Sequence, residues 1–186
     1  MPPVVVPCAD VTALPDILTA RLRLRERSPD DAEALFPTLS DEGLMTWWSR
    51  APFGSVDEVR ESFVADGGAS GWRAWAITRQ GDDRAIGYVA VGEKRQGAVS
   101  EIGYMLERAA WGSGIAFEAV SGVISYLFAT GQRRVFADTD PDNAPSNGLL
   151  TRLGFTLEGR LRGEWETHIG VRDSLIWGLL AKEWKQ

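Results

Sequence analysis

Hydrophobic and polar positions along this chain recur with two periods, and the places where one gives way to the other delimit its elements. Leu22 and Leu24 set against Arg21, Arg23 and Arg25 alternate with period two, which predicts a strand with one apolar face. Ser28-Pro29-Asp30-Asp31 then opens a helix, with Ser28 as N-cap, Pro29 at the first helical position and Asp31 where a capping box prefers Glu. Ala32, Leu35, Phe36 and Leu39 supply its buried stripe. Residues 40–54 hold Met45, Trp47, Trp48, Pro52 and Phe53 without periodicity, so this aromatic segment either caps the core or lines a cleft. Ser55 with Glu58 is a second capping box and predicts a helix to about Ala65, ended by Gly67-Gly68. Strands follow at 72–79 and 84–93, joined as a hairpin at Gln80-Gly81-Asp82-Asp83. Gln96-Gly97 turns the chain into a third strand, 98–107, giving an antiparallel meander.

The stretch from Glu101 to Thr130 organises what comes after. It reads as a strand, a turn holding Gly112 and Gly114, and a helix whose face carries Ala116, Val120, Val123, Ile124, Leu127 and Phe128, with Gly131 as the stop. A strand at 133–139 has Val135 and Ala137 facing one way. Ser146 then reads as the cap of a short helix with Leu149, Leu150 and Leu153 on its apolar side and Gly154 at its end. Residues 157–165 bend at Gly159 and Gly163, and 173–180 form a strongly apolar strand. Residues 1–20, with Pro2, Pro3, Pro7 and Pro15, read as a leader without an element of its own, and 21–186 as one domain.

Composition narrows the function classes. No apolar run approaches 18 residues, and Val4-Val5-Val6 is too short and lacks a basic flank for a signal peptide, so a soluble cytoplasmic protein without membrane contact is expected. Cys8 is the single cysteine and His168 the single histidine, which speaks against a disulfide framework, a metal site and a cysteine nucleophile. No Gly-x-Ser-x-Gly elbow supports a Ser-His-Asp hydrolase. A net charge of −6 argues against nucleic acid as partner and suits cationic substrates. A polyanionic cofactor would then need a locally positive site, supplied by the backbone at 112–116 with Arg108, Arg133, Arg134 or Arg152. Eight tryptophans are core or pocket wall.

Glycines between a strand and a helix start let N–H groups converge on an anion, where the helix dipole adds about half a positive charge. A dinucleotide fingerprint would need a small residue where this chain has Phe117, and a Walker A loop would need a lysine and a hydroxyl after Gly114. Trp111-Gly112-Ser113-Gly114-Ile115-Ala116 instead resembles motif A of the GNAT acetyltransferases, Arg/Gln-x-x-Gly-x-Gly/Ala, with Trp111 as the departure. A tryptophan within WGxGxA after a GY-containing strand looks like the RimJ/RimL branch of ribosomal-protein N-acetyltransferases. Asn143-x-x-Ser146 before a helix closed by Leu153-Gly154-Phe155 is similar to the family's motif B region, although an ordinary Asx turn and N-cap would explain it locally. Both motifs together, in the order strand, helix, strand, helix, are more specific than either, and the resemblance spans residues 20–182.

The resemblance implies a GNAT fold, an α/β (α+β) architecture with a mixed, mostly antiparallel sheet of about seven strands and about four helices. It implies acetyl-CoA as cosubstrate with no metal, and a small-molecule amine or peptide N-terminus that attacks directly in a ternary complex. Tyr104, Met105 and Leu106 would hold the pantetheine arm, residues 111–116 the pyrophosphate, and Asn143 the pantetheine or its loop. Glu101 is the candidate general base, with an exposed strand-end carboxylate as the plain alternative. Many relatives carry a tyrosine after motif B to protonate the departing thiolate. Here Phe155 follows Gly154 and no tyrosine lies beyond Tyr126, so Ser146 takes that role or is only a cap. Trp47, Trp48, Trp165, Glu166 and His168 are the candidate acceptor-binding residues; Asp41, Glu42, Glu164 and Glu166 either attract an amine or form a solvated face. A homodimer and a catalytically silent acyl-CoA-binding module stay open at this stage.

Overall fold

Side-chain alternation along the strands builds two hydrophobic cores, one on each face of a single sheet. The computed structural model describes residues 13–66, 71–95 and 97–185. Its strands are β1 (Ile17–Leu18), β2 (Leu22–Glu26), β3 (Trp72–Arg79), β4 (Asp82–Arg95), β5 (Val99–Leu106), β6 (Arg134–Thr139), β7 (Thr156–Thr167) and β8 (Gly170–Leu180). They lie in the order β1-β2-β3-β4-β5-β6-β8-β7. Only β5 and β6 pair in parallel; every other neighbouring pair is antiparallel. The helices are α1 (Ala32–Leu39), α2 (Glu42–Met45), α3 (Val56–Asp66), α4 (Ile115–Ala129) and α5 (Ala144–Arg152). This is the expected mixed architecture and the expected meander, with one strand and one short helix more.

On β3, Trp75 and Ile77 pack under α4 with Leu22, Leu24, Val89 and Ile102. Ala74 and Ala76 point the other way, toward Leu35, Leu39, Val59 and Phe63 of α1 and α3. Bulk on one face and alanine on the other follow from the period of two, and the small side chains let two helices lie close to the strands.

Three expectations need correction. Residues 13–20 do carry an element: Ile17 pairs with Leu24, Leu14 is buried, and the Trp75 indole donates to the Pro15 carbonyl at 2.9 Å. The prolines blocked a sequence assignment because the partner that completes this short strand lies outside it. The remainder of that segment, and the Gly67-Gly68 stop, fall outside the described residues. The aromatic segment also contains α2, started by Asp41 accepting from the Leu44 N–H at 2.8 Å. Finally, Ser146 is not an N-cap. Pro145 lacks an N–H and suits a first turn, so α5 starts before it and Asn143 caps it, accepting from the Ser146 N–H at 3.3 Å.

The capping box at Ser28 does close on Asp31, whose carboxylate accepts from the Ser28 N–H at 2.9 Å and pairs with Arg25 at 2.6 Å. Among the described residues no helix is long and apolar enough to cross a membrane.

β5 and β6 pair only over Val99–Glu101 and Arg134–Phe136. Beyond that, β5 stays with β4 as far as Leu106 opposite Gly87, while β6 follows β8 to Thr139 opposite Leu175. The two strands part, and the site occupies the gap. Close approach at Gly87 keeps β5 in place, since a methyl there would collide with the Met105 carbonyl oxygen. Gly87→Ala is expected to cost about 1–3 kcal/mol, read from the urea midpoint.

Candidate active site

The phase of β5 decides which backbone groups enter the gap. The Glu107 N–H bonds back to the Ile86 carbonyl at 2.8 Å, and the Ala98 carbonyl accepts from the Arg133 N–H at 2.9 Å on the opposite side. Odd residues of β5 therefore bond toward β4, and the backbone of Ile102, Tyr104 and Leu106 faces away from it. Past the paired segment, the N–H and C=O of Tyr104 and the N–H of Leu106 point into the gap. The Leu106 carbonyl is taken by the Trp111 indole N–H at 2.9 Å.

At the end of that strand the chain makes its glycine turn. Gly112 and Gly114 have φ of 72° and 78°, left-handed values that disfavour any side chain. Gly114 is the N-cap of α4, no side chain caps the helix, and its first turn closes with the Glu118 N–H on the Gly114 carbonyl at 3.0 Å. The N–H groups ahead of Glu118 have no acceptor within the helix, so the turn offers several donors and the positive end of the helix dipole to one anion. The Ser113 hydroxyl is turned back onto the Ala110 carbonyl at 2.6 Å.

A cation that sequence reasoning passed over sits here. Arg21 donates to the Ser113 carbonyl at 2.9 Å and pairs with Glu118 at 2.6 Å. Burial by itself would raise the Glu118 carboxyl, but the Thr19 hydroxyl, the Arg21 guanidinium and the Arg21 N–H outweigh it and hold the carboxyl below its ordinary range. Of the arginines proposed from sequence, Arg152 lines the groove and Arg108 stands over the Trp111 ring at 5.2 Å. Arg133 and Arg134 bind the Gly97 carbonyl and Glu158 instead. Arg21 reaches the turn only because β1 lays the start of β2 beside α4, which spacing along the chain does not disclose.

Two cavities meet in the gap. The first, about 280 Å³, is lined by Tyr104, Met105, Leu106, Trp111, Gly112, Gly114, Ile115, Ala116, Asn143 and Ser146. The second, about 340 Å³, contains Glu101, Asp138, Trp72, Trp165 and Arg172. Trp47, Trp48, Tyr104, Asn143 and Ser146 line both. Glu166 and His168 lie exposed near the end of the β7–β8 hairpin, outside both cavities. Asp138, Trp72 and Arg172 were not anticipated.

At the junction the Tyr104 and Ser146 hydroxyls are 2.6 Å apart. Burial pushes the Tyr104 phenol up to about 12, against the opposing pull of its bond to Ser146. On the acceptor side, hydrogen bonds from Arg172 hold the Asp140 carboxyl below its usual range, with distances of 2.7 and 2.9 Å.

Residues 21–156 match the sequence profile of the acetyltransferase (GNAT) domain. The chain belongs to the GNAT acetyltransferases. This N-acetyltransferase is 31% identical over 173 residues to the uncharacterized N-acetyltransferase p20 of Bacillus licheniformis, covering 90% of this chain and 97% of that protein. To the uncharacterized N-acetyltransferase YoaA of Bacillus subtilis it is 34% identical over 155 residues, 80% of this chain and 86% of the other. Among solved structures, a RimL ribosomal L7/L12 alpha-N-protein acetyltransferase in complex with coenzyme A superposes with a TM-score of 0.78 at 21% identity, covering 89% and 98% of the two chains. That last likeness is one of fold.

A depressed carboxyl stabilises the folded state above its ordinary value and loses that contribution as pH falls through the folded value. For the GNAT turn, the stability difference between the wild type and Glu118→Gln should be constant above pH 4.5, the ordinary value of this carboxyl, and shrink progressively below it. Melting temperatures of both proteins across that range measure it.

Proposed function

We propose that this protein transfers the acetyl group of acetyl-CoA to a primary amine by direct attack in a ternary complex. The observation that carries this is the junction itself: a groove lined by the glycine turn and the gap-facing end of β5, and a second, carboxylate-bearing cavity, share Ser146 and Tyr104. The donor supplies its acyl group already activated as a thioester. The N–H groups at the start of α4 suit its diphosphate. The gap-facing backbone of Tyr104 and Leu106 suits the amide-rich arm, and Asn143 orders the loop as the cap of α5.

Glu101 stands at the last paired position of β5 and lines the acceptor cavity. It takes the proton of the attacking amine, through water. A free α-amino group titrates near ~7.7–8.0 and a lysine near ~10.4, so the first needs little help at neutral pH. Ser146 hands its proton to the departing thiolate as it takes one from water in the groove, so the proton the sulfur gains balances the one the amine loses. Tyr104 positions the serine through the hydrogen bond between the two hydroxyls. The acceptor is a small amine or a peptide N-terminus.

Acetyl-CoA at about 100 times its dissociation constant should stabilise the fold by roughly 2.7 kcal/mol, a rise of about 5–10 °C in melting temperature. Thiol release with a panel of amines then reads the transfer; a thermal shift without release from any amine would leave a binding module only. Tyr104→Phe is expected to lower kcat by about three- to tenfold, with the KM for acetyl-CoA little changed, because one neutral hydrogen bond of orientation is lost.

A further inference from the structure

The acceptor cavity holds a carboxylate that the acetyl-transfer scheme does not use. Asp138 is two residues beyond Phe136, the last position of β6 paired to β5, so it stands where the strands have already parted. One of its oxygens accepts from the buried Ser174 hydroxyl, the other from the Trp165 indole N–H at 3.0 Å. Both donors are uncharged. The neighbouring acids differ: Asp140 and Asp142 are neutralised by Arg172 at 2.7 and 2.5 Å, and Asp173 by Arg160 at 2.7 Å. Among the described residues no cation pairs with Asp138.

The walls around it are aromatic. Trp47, Trp48, Trp72 and Trp165 line the same cavity, and the Arg172 guanidinium already lies 5.7 Å over the Trp47 ring. A fixed anion in a tryptophan-lined cavity favours an organic ammonium over a hydrated metal ion, since aromatic rings attract such a charge and also bury the attached methylenes. Each Asp138 oxygen keeps a lone pair beyond the one hydrogen bond it accepts, and an ammonium N–H can use it. The nitrogen it holds remains an ammonium. The nitrogen that attacks must be neutral and must lie at Ser146.

We propose that Asp138 is a specificity-determining residue that docks a second cationic group of the acceptor, so that the preferred substrate is a diamine or polyamine in which one nitrogen reacts and another is anchored. This rests on the acetyl-transfer reading above.

The test compares 1,4-diaminobutane with butylamine, which has the same carbon chain and a single nitrogen. The wild-type protein should show kcat/KM at least about tenfold higher for the diamine, carried by KM, and Asp138→Asn should abolish that advantage. Tetramethylammonium, which cannot be acetylated, should perturb tryptophan fluorescence saturably and compete with the diamine, and should bind about tenfold more weakly to the variant. The thermal shift with acetyl-CoA reports whether the variant is folded, and the wild-type comparison stands even if it is not. Equal kcat/KM for the two amines, with both acetylated, overturns the anchor and leaves the transferase intact. Asp138-dependent tetramethylammonium binding without acetylation of any amine keeps the anchor and overturns the transferase.

Discussion

Three residue pairs join β5 to β6, and then the strands part because each has another partner to satisfy. β6 is bound along its other edge to β8 over its whole length, and β5 to β4. A parallel sheet left to itself would continue; here the opposite edges twist away from one another, and a stretch of backbone is left without its ladder. Unpaired peptide groups in a protein interior are costly, about 1–3 kcal/mol each, so such a gap persists only where water or a ligand can reach it. Both cavities and the helix start with its uncapped donors follow from that one divergence.

The turn beneath the gap shows how local chemistry adapts to it. Trp111 stands where many members of the family carry Arg or Gln, and its indole N–H closes off the Leu106 carbonyl, the last acceptor on that edge of β5. What remains on the strand end is a donor facing the groove, next to the donors of α4. Arg21, from a different part of the chain, joins the turn paired with Glu118, so the positive character there comes from the N–H groups and the helix dipole. A protein with a net charge of −6 thus gathers donors at one point without changing its overall sign.

Hydroxyl chemistry at the junction likewise depends on two elements meeting. Asn143 takes over the capping of α5, which frees the Ser146 side chain from that duty, and Tyr104 meets it from β5. No tyrosine follows motif B in this chain. The phenol that contacts the serine instead comes from upstream, on the strand that borders the gap.

Much of this was readable from residue order because it depends on neighbours within a few positions. Alternation at Leu22 and Leu24, the box at Ser28, the glycines at 112 and 114 and the apolar stripe of α4 are consequences of local sterics and of period, and they define the strands, the helices and the anion turn. The pairing of Ile17 with Leu24, the arrival of Arg21 at the turn, the contact of Tyr104 with Ser146 and the placing of Asp138 between Ser174 and Trp165 are of another kind. Each joins residues from separate strands or helices, and only the twist and order of the sheet bring them within bonding distance. Local periodicity determined most of the elements, β1 and α2 excepted; the divergence of two strands decided what they face.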